Sequence, residues 1–111
     1  MTGPMNDDSL TIDLDDGGAI VVHGDIDMAG GPVLEAAILQ HESDADRGQL
    51  VIDLEDVSFI DSSGLRSLLG ASRRARGRGG DVVLRSVGPE VARLLEITGT
   101  TSQFVIASHR G

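Results

Sequence analysis

Residues 49–86, QLVIDLEDVSFIDSSGLRSLLGASRRARGRGGDVVLRS, constrain the fold more than any other stretch of the chain. The run QLVIDL is short and dense in branched aliphatics, which suits a strand buried on both faces. From Ser63 the period becomes helical, with Leu65, Leu68, Leu69 and Ser72 at i, i+3, i+4 and i+7. This helix runs into RARGRGG, where arginines meet the negative end of the helix dipole and glycines supply a stop. DVVLRS follows as a second strand. Strand, helix and strand in that order put a helix on the face of a sheet.

Ahead of this unit, LTIDL (10–14) alternates apolar and polar, DDGG (15–18) is turn chemistry, and AIVVHG (19–24) is a second strand, so together they read as a hairpin. Pro32 suits a first helical turn, and Val33, Leu34, Ala37, Ile38 and His41 share one helical face. ESDADRG (42–48) is a loop. Beyond the unit, Pro89 opens a helix with Val91, Leu94 and Leu95 inward and Gly99 as its stop, and QFVIA (103–107) is a last strand. The order β-β-α-β-α-β-α-β has no internal repeat and no linker. It predicts one α/β domain with a mixed sheet over residues 9–108, behind a polar, flexible leader at 1–8.

Composition narrows the function. Two phenylalanines and no tyrosine or tryptophan leave an aliphatic core and no aromatic platform for stacking nucleic-acid bases. Without cysteine there is no disulfide, thiolate metal site or cysteine nucleophile. The first residues lack the basic and apolar regions of a signal peptide. No apolar run approaches the ~18–20 residues of a membrane span, so a cytoplasmic protein without membrane contact is expected. The net charge of −9 is unevenly spread: residues 1–61 hold 15 acids and a single arginine, Arg47, whereas residues 62–111 hold eight arginines and three acids. Such an acidic half disfavours nucleic acid and anionic membrane, and it favours a partner with a basic face.

Most candidate sites have a plainer explanation. DLDDGG (13–18) puts Asp13, Asp15 and Gly18 at the first, third and sixth positions of a calcium loop. Gly17 and Gly24 then stand where the fifth and twelfth ligands belong, so a turn is expected. His23, His41 and His109 share no metal-type spacing, and neither metal nor cofactor is expected. Ser62 lies between a strand and a helix as in a hydrolase elbow, but a sheet this small leaves little room for a histidine and an oxyanion pocket, and no enzyme is expected. Arg73, Arg74, Arg76 and Arg78 crowd a helix end, where solvated charge accounts for them.

SFIDSSGLRSLL (58–69) is different. Asp61, Ser62 and Ser63 are all N-cap residue types, and one cap does not require three. Gly64 costs about 1 kcal/mol of helix propensity. It would leave the helix N-terminus unshielded, so that another protein's active site could reach the neighbouring hydroxyl. A phosphate there adds about −1.5 to −2 charges. It would meet the positive end of the dipole and free N–H groups, with Arg66 four residues after Ser62 as an ion-pair partner. Phosphorylation would then change binding and leave the fold intact.

On these residues the chain resembles the STAS family, and within it the bacterial anti-sigma factor antagonists. The matching block is 51–99 with D-S-S-G-L at its centre, and GDID (24–27) is similar to the family's acidic motif ahead of its first helix. The resemblance spans about residues 10–107. It implies a single STAS-like domain, a four- to five-stranded mixed sheet with helices packed mainly on one side, and no catalytic residue. It also implies partner switching. The unphosphorylated antagonist binds an anti-sigma factor that is also a serine kinase and so frees the sigma factor; phosphorylation ends that binding, and a PP2C-type phosphatase resets it. Carried onto this chain, the phosphoacceptor is Ser62, with Ser63 as the alternative, and Asp25, Asp27, Asp61, Gly64 and Arg66 are the partner-binding set. Asp25 stands where the family commonly has Glu, and the glycine-rich MAGGP (28–32) departs from the pattern. The alternative within the family is an unswitched adaptor, such as the small subunit of a lipid transporter; the Asp61-Ser62-Ser63 set favours the switch. A nucleotide-binding or hydrolytic domain has no motif behind it.

Overall fold

The computed structural model describes residues 10–42 and 49–107. The leader at 1–8, residues 43–48 of the first loop and His109 lie outside them. The elements are β1 (Thr11–Leu14), β2 (Ile20–His23), α1 (Gly30–His41), β3 (Leu50–Asp56), α2 (Ser62–Gly77), β4 (Val82–Arg85), α3 (Pro89–Ile97), a 3-10 turn (Thr101–Gln103) and β5 (Val105–Ala107). Their order is the one read from the sequence. The five strands form one sheet in the order β1-β2-β3-β4-β5. β1 pairs antiparallel with β2, and β2 through β5 are parallel, so the sheet is mixed at one edge.

Strand alternation decides which side is covered. Ile20 and Val22, Leu50, Ile52 and Leu54, and Val82 and Leu84 point to one face and join a single core with Leu34 and Ile38 of α1, Leu68 and Ala75 of α2, and Val91 and Leu95 of α3. All three helices therefore cover that face. Phe104, at 6% exposure, is the aromatic member of an otherwise aliphatic core. Val33, placed inward by the sequence pattern, is 43% exposed, because α1 turns its Leu34–Ala37–Ile38 stripe to the sheet. α2 and α3 both end at a left-handed glycine, Gly79 and Gly99, after which Gly80 and Thr100 donate back to the carbonyls of Ala75 and Leu95 at 2.8 and 2.9 Å.

Of the four arginines at the end of α2, Arg74 and Arg76 are tied down, in place of the solvated charge the sequence suggests, whereas Arg73 is exposed as expected. Arg74 donates to Glu42 at 3.0 Å, and Arg76 reaches Asp81 at 3.3 Å and the Ser102 carbonyl at 2.8 Å. Their partners sit after α1, before β4 and before β5, so this end of α2 clamps three neighbouring segments.

On the other face of the sheet, polar side chains cross-link the strands. Arg85 donates to Asp15 at 2.6 Å and to Asp53 at 2.9 Å. Asp15 also accepts from the amides of Gly17 and Ala19, both at 2.9 Å, so it closes the β1–β2 turn in the manner expected of a plain turn. The bond from Arg85 is the largest cause holding the Asp15 carboxyl below its ordinary value. His23 sits between two carboxylates, with Nδ1 at 2.7 Å from Asp56 and Nε2 at 3.1 Å from Asp13. The Asp56 bond, above all, raises the imidazole pKa above 6.5.

Asp53 is 8% exposed, so removing its cation should be costly. Arg85→Met is expected to lower stability in urea unfolding by about 1–3 kcal/mol, the cost of a buried charge left without its partner. The raised His23 pKa stabilises the fold fully below the ordinary imidazole value, and this contribution is lost as pH rises through the folded value. Urea unfolding at pH 6 and at pH 8.5 should therefore show wild type losing more stability than His23→Gln over that interval.

Candidate functional site

Two loops leave the sheet side by side at the carboxyl ends of β2 and β3. Parallel pairing continues past the strands: Ile26 N–H donates to the Phe59 carbonyl at 2.9 Å, and Asp61 N–H donates to the Ile26 carbonyl at 3.1 Å. Ile26 and Ile60 point into the core, at 0% and 5% exposure. Alternation then turns their neighbours Asp25, Asp27, Phe59 and Asp61 away from it. Residues from two distant motifs, GDID and DSSG, are thereby brought together. Ser58, between β3 and Phe59, donates to Asp25 at 3.4 Å.

Asp61 is the N-cap of α2. Its backbone is extended, and its Oδ1 accepts from the amides of Ser63 and Gly64 at 2.9 and 3.1 Å. Ser62 is the first helical residue, exposed, and its hydroxyl makes no hydrogen bond among the described residues. Ser63 is half-buried and turned toward α1. The N–H groups expected to receive a phosphate are thus largely spoken for: Asp61 engages those of Ser63, Gly64 and, through its carbonyl, Leu65. A phosphate on Ser62 would stand beside a carboxylate in water, with the amide of Ser62 as the first-turn donor that Asp61 leaves over.

The access expected at Gly64 is not there. Gly64 is buried against Ile26, and a Cβ on it would lie 2.5 Å from the Ile26 carbonyl oxygen. Its role is to let α2 approach the paired backbone of Ile26, and Ser62 is reached because it lies on the outer side of the first turn. Gly30 does the same for α1: its Cβ would lie 2.6 Å from the Asp25 carbonyl oxygen, which gives a reason for the glycines in MAGGP.

Asp27 caps as well. Its Oδ1 accepts from Ala29 and Gly30 at 3.0 and 2.8 Å, and its carbonyl from Gly31 at 2.6 Å. Asp25 is exposed and carries no such duty. Arg66 is exposed one turn beyond Ser62 and takes part in none of the ion pairs among the described residues. Sequence reading missed Met28, which the turn between Asp27 and α1 pushes out to 76% exposure. An apolar residue inside the polar stretch GDIDMAGG was the available signal. No group of metal-ligating side chains occurs among the described residues, and no helix described is long and apolar enough to cross a membrane.

A five-stranded mixed sheet covered by helices on one face, with an acidic loop set against a DSSG helix start, defines a STAS domain. The family model described as "Mlab, STAS domain" matches residues 10–106, and the chain belongs to that family. Among its relatives is the anti-sigma-B factor antagonist of Bacillus subtilis, 37% identical over 79 residues that make up 70% of either chain. The anti-sigma-B factor antagonist of Listeria monocytogenes is 34% identical over 92 residues, 83% of this chain and 80% of its own. The crystal structure of an anti-sigma factor antagonist from Mycobacterium paratuberculosis superposes with a TM-score of 0.75 at 33% identity, covering 90% of this chain and 86% of that one.

Because Gly64 has a packing role, Gly64→Ala is expected to cost about 1–3 kcal/mol in urea unfolding, as overpacking does. Asp25→Asn should stay within about 0.5 kcal/mol of wild type, since Asp25 is exposed and its long bond from Ser58 can be accepted by an amide oxygen as well. If Gly64→Ala proved neutral, the tight approach of α2 to Ile26 would be refuted.

Proposed function

We propose that this protein is a cytoplasmic anti-sigma factor antagonist, a binding switch and not an enzyme. In its unmodified form it binds an anti-sigma factor that is also a serine kinase, and the sigma factor is released. Phosphorylation of Ser62 ends the binding, and a PP2C-type phosphatase restores it. The observation that carries this reading is the Ser62 hydroxyl: exposed, without a hydrogen bond among the described residues, and next to Asp61 at the start of α2. The identity with curated antagonists supports it.

The chemistry follows from the surroundings. Ser62 is solvated, so a phosphate on it requires no rearrangement of the core. An interface that closes over the unmodified hydroxyl is another matter. It would have to strip water from a group of about −1.5 to −2 charges that already stands beside Asp61, and burying charge without a matching cation is expensive. Asp25, exposed and held only by a long bond from Ser58, offers its carboxylate to a basic residue of the partner, and Asp27 offers the oxygen its cap leaves over. Ser63, whose amide is held by Asp61 and whose side faces α1, is the less accessible of the two serines.

Purified anti-sigma factor kinases of the same organism, each incubated with this protein and ATP, provide the test. Peptide mapping by mass spectrometry should place phosphate on Ser62, and Ser62→Ala should accept none while keeping its hold on the kinase. Absence of phosphate from both Ser62 and Ser63 with every kinase would refute the switch, and modification of Ser63 alone would move it by one residue.

A further inference from the structure

α1 is apolar on more sides than the core requires. Leu34, Ala37 and Ile38 face the sheet, yet Pro32, Ala36 and Leu39 form a second stripe at i, i+4 and i+7 that faces away from it. Glu35 is the one acid in the helix, and Leu39 is 49% exposed. A surface helix normally turns charge outward, as α2 does with Arg66 and Arg73. The outward stripe of α1 forms one wall of an open groove of about 530 Å3, whose other wall is Ser63, Arg66 and Ser67 of α2. Met28 stands at its mouth. At the groove's base the two helices meet where Gly31 lies over the Ser63 backbone, 3.8 Å from where its Cβ would be, an ordinary contact distance. On the floor, Ser67 donates to Glu35 at 3.2 Å and satisfies polar groups there.

We infer that this groove seats apolar side chains from an amphipathic helix of the anti-sigma factor, whose basic residues meet the acidic loops at the groove's end. The inference rests on the antagonist reading above. Two features select this occupant. The groove's lining ends at Met28, which follows Asp27, and at Ser63, whose amide Asp61 caps, so a partner crossing it meets apolar surface and then carboxylates, the pattern of a helix with one apolar face and basic flanks. The groove is also continuous with the switch, since Ser63 forms its wall and Ser62 is the next residue on the same turn. Its volume lies within the ~300–1,000 Å3 range of well-formed binding sites, enough for one or two large side chains. Ser63 then has a task of its own: a small wall residue that keeps the groove open, while Ser62 beside it carries the modification.

The test is calorimetry with the anti-sigma factor kinase that modifies the wild-type protein, using full-length chain throughout. Ala36→Arg fills the groove from an exposed helical position, and Leu39→Gln removes apolar wall without adding charge. Gln40→Arg, exposed on the same helix but outside the groove, is the control. Ala36→Arg is expected to weaken binding at least tenfold and Leu39→Gln severalfold, with Gln40→Arg within twofold of wild type and all melting temperatures close to it. Wild-type affinity in Ala36→Arg and Leu39→Gln would overturn the groove while leaving the antagonist reading intact. Failure of wild type to bind any anti-sigma factor kinase would overturn both. Sedimentation of the free proteins adds one more outcome: a wild-type dimer that Ala36→Arg dissociates, with kinase affinity unchanged, would assign the groove to a second copy of this chain and overturn the inference.

Discussion

The backbone pairing of Ile26 with Phe59 and Asp61 is the constraint on which the site depends. Two hydrogen bonds extend the parallel β2–β3 ladder beyond the strands and fix the acidic loop against the start of α2. Ile26 and Ile60 anchor that extension in the core, and Gly64 is small enough for α2 to pack directly on it. Remove any of these and Asp25, Asp27 and Ser62 lose their common frame. A modification at the start of α2, as proposed for Ser62, would then be felt at a surface built by both loops, with no movement of the fold needed to transmit it.

Charge is divided between structure and surface. Arg74, Arg76 and Arg85 are consumed in ties to Glu42, Asp81, Asp15 and Asp53, which hold the end of α2 and the uncovered face of the sheet. The carboxylates near Ser62 have no such cation among the described residues. The site therefore presents net negative charge to a partner, and a phosphate added there meets like charge from Asp61. The proposed release by phosphorylation would follow from this placement: a group that is harmless in water becomes costly only when a second surface closes over it.

Much of this was legible in the sequence. The order of elements and the mixed sheet follow from period and from the dense strands 50–54 and 82–84, because periodicity is a local property of the chain. The cover on one face came with the family resemblance, whereas the density of QLVIDL alone suggested burial on both faces, and the uncovered face carries Asp53 and Arg85 instead. Ser62 and Asp61 could be singled out from an excess of cap-type residues. What the chain did not disclose depends on distances across the fold. Gly64 reads as an opening until Ile26 is seen beneath it. Asp27 reads as a surface contact until its two amide partners are in place. Nothing in DVVLRS marks Arg85, and its pairing with Asp15, seventy residues away, has no local signature. The second apolar stripe of α1, Pro32, Ala36 and Leu39, was present in PVLEAAIL but is not singled out by the sequence, because nothing local says that this side of the helix lies away from the sheet.

The measurement that bears most directly on the account is the affinity of the anti-sigma factor kinase for the protein carrying phosphoserine at position 62, set against the unmodified protein, with the melting temperature of both recorded. The account predicts that the phosphate weakens binding by at least a hundredfold, about 2.7 kcal/mol, and leaves the melting temperature within a few degrees. Equal affinity for the two forms would contradict it, and so would a loss of affinity accompanied by unfolding.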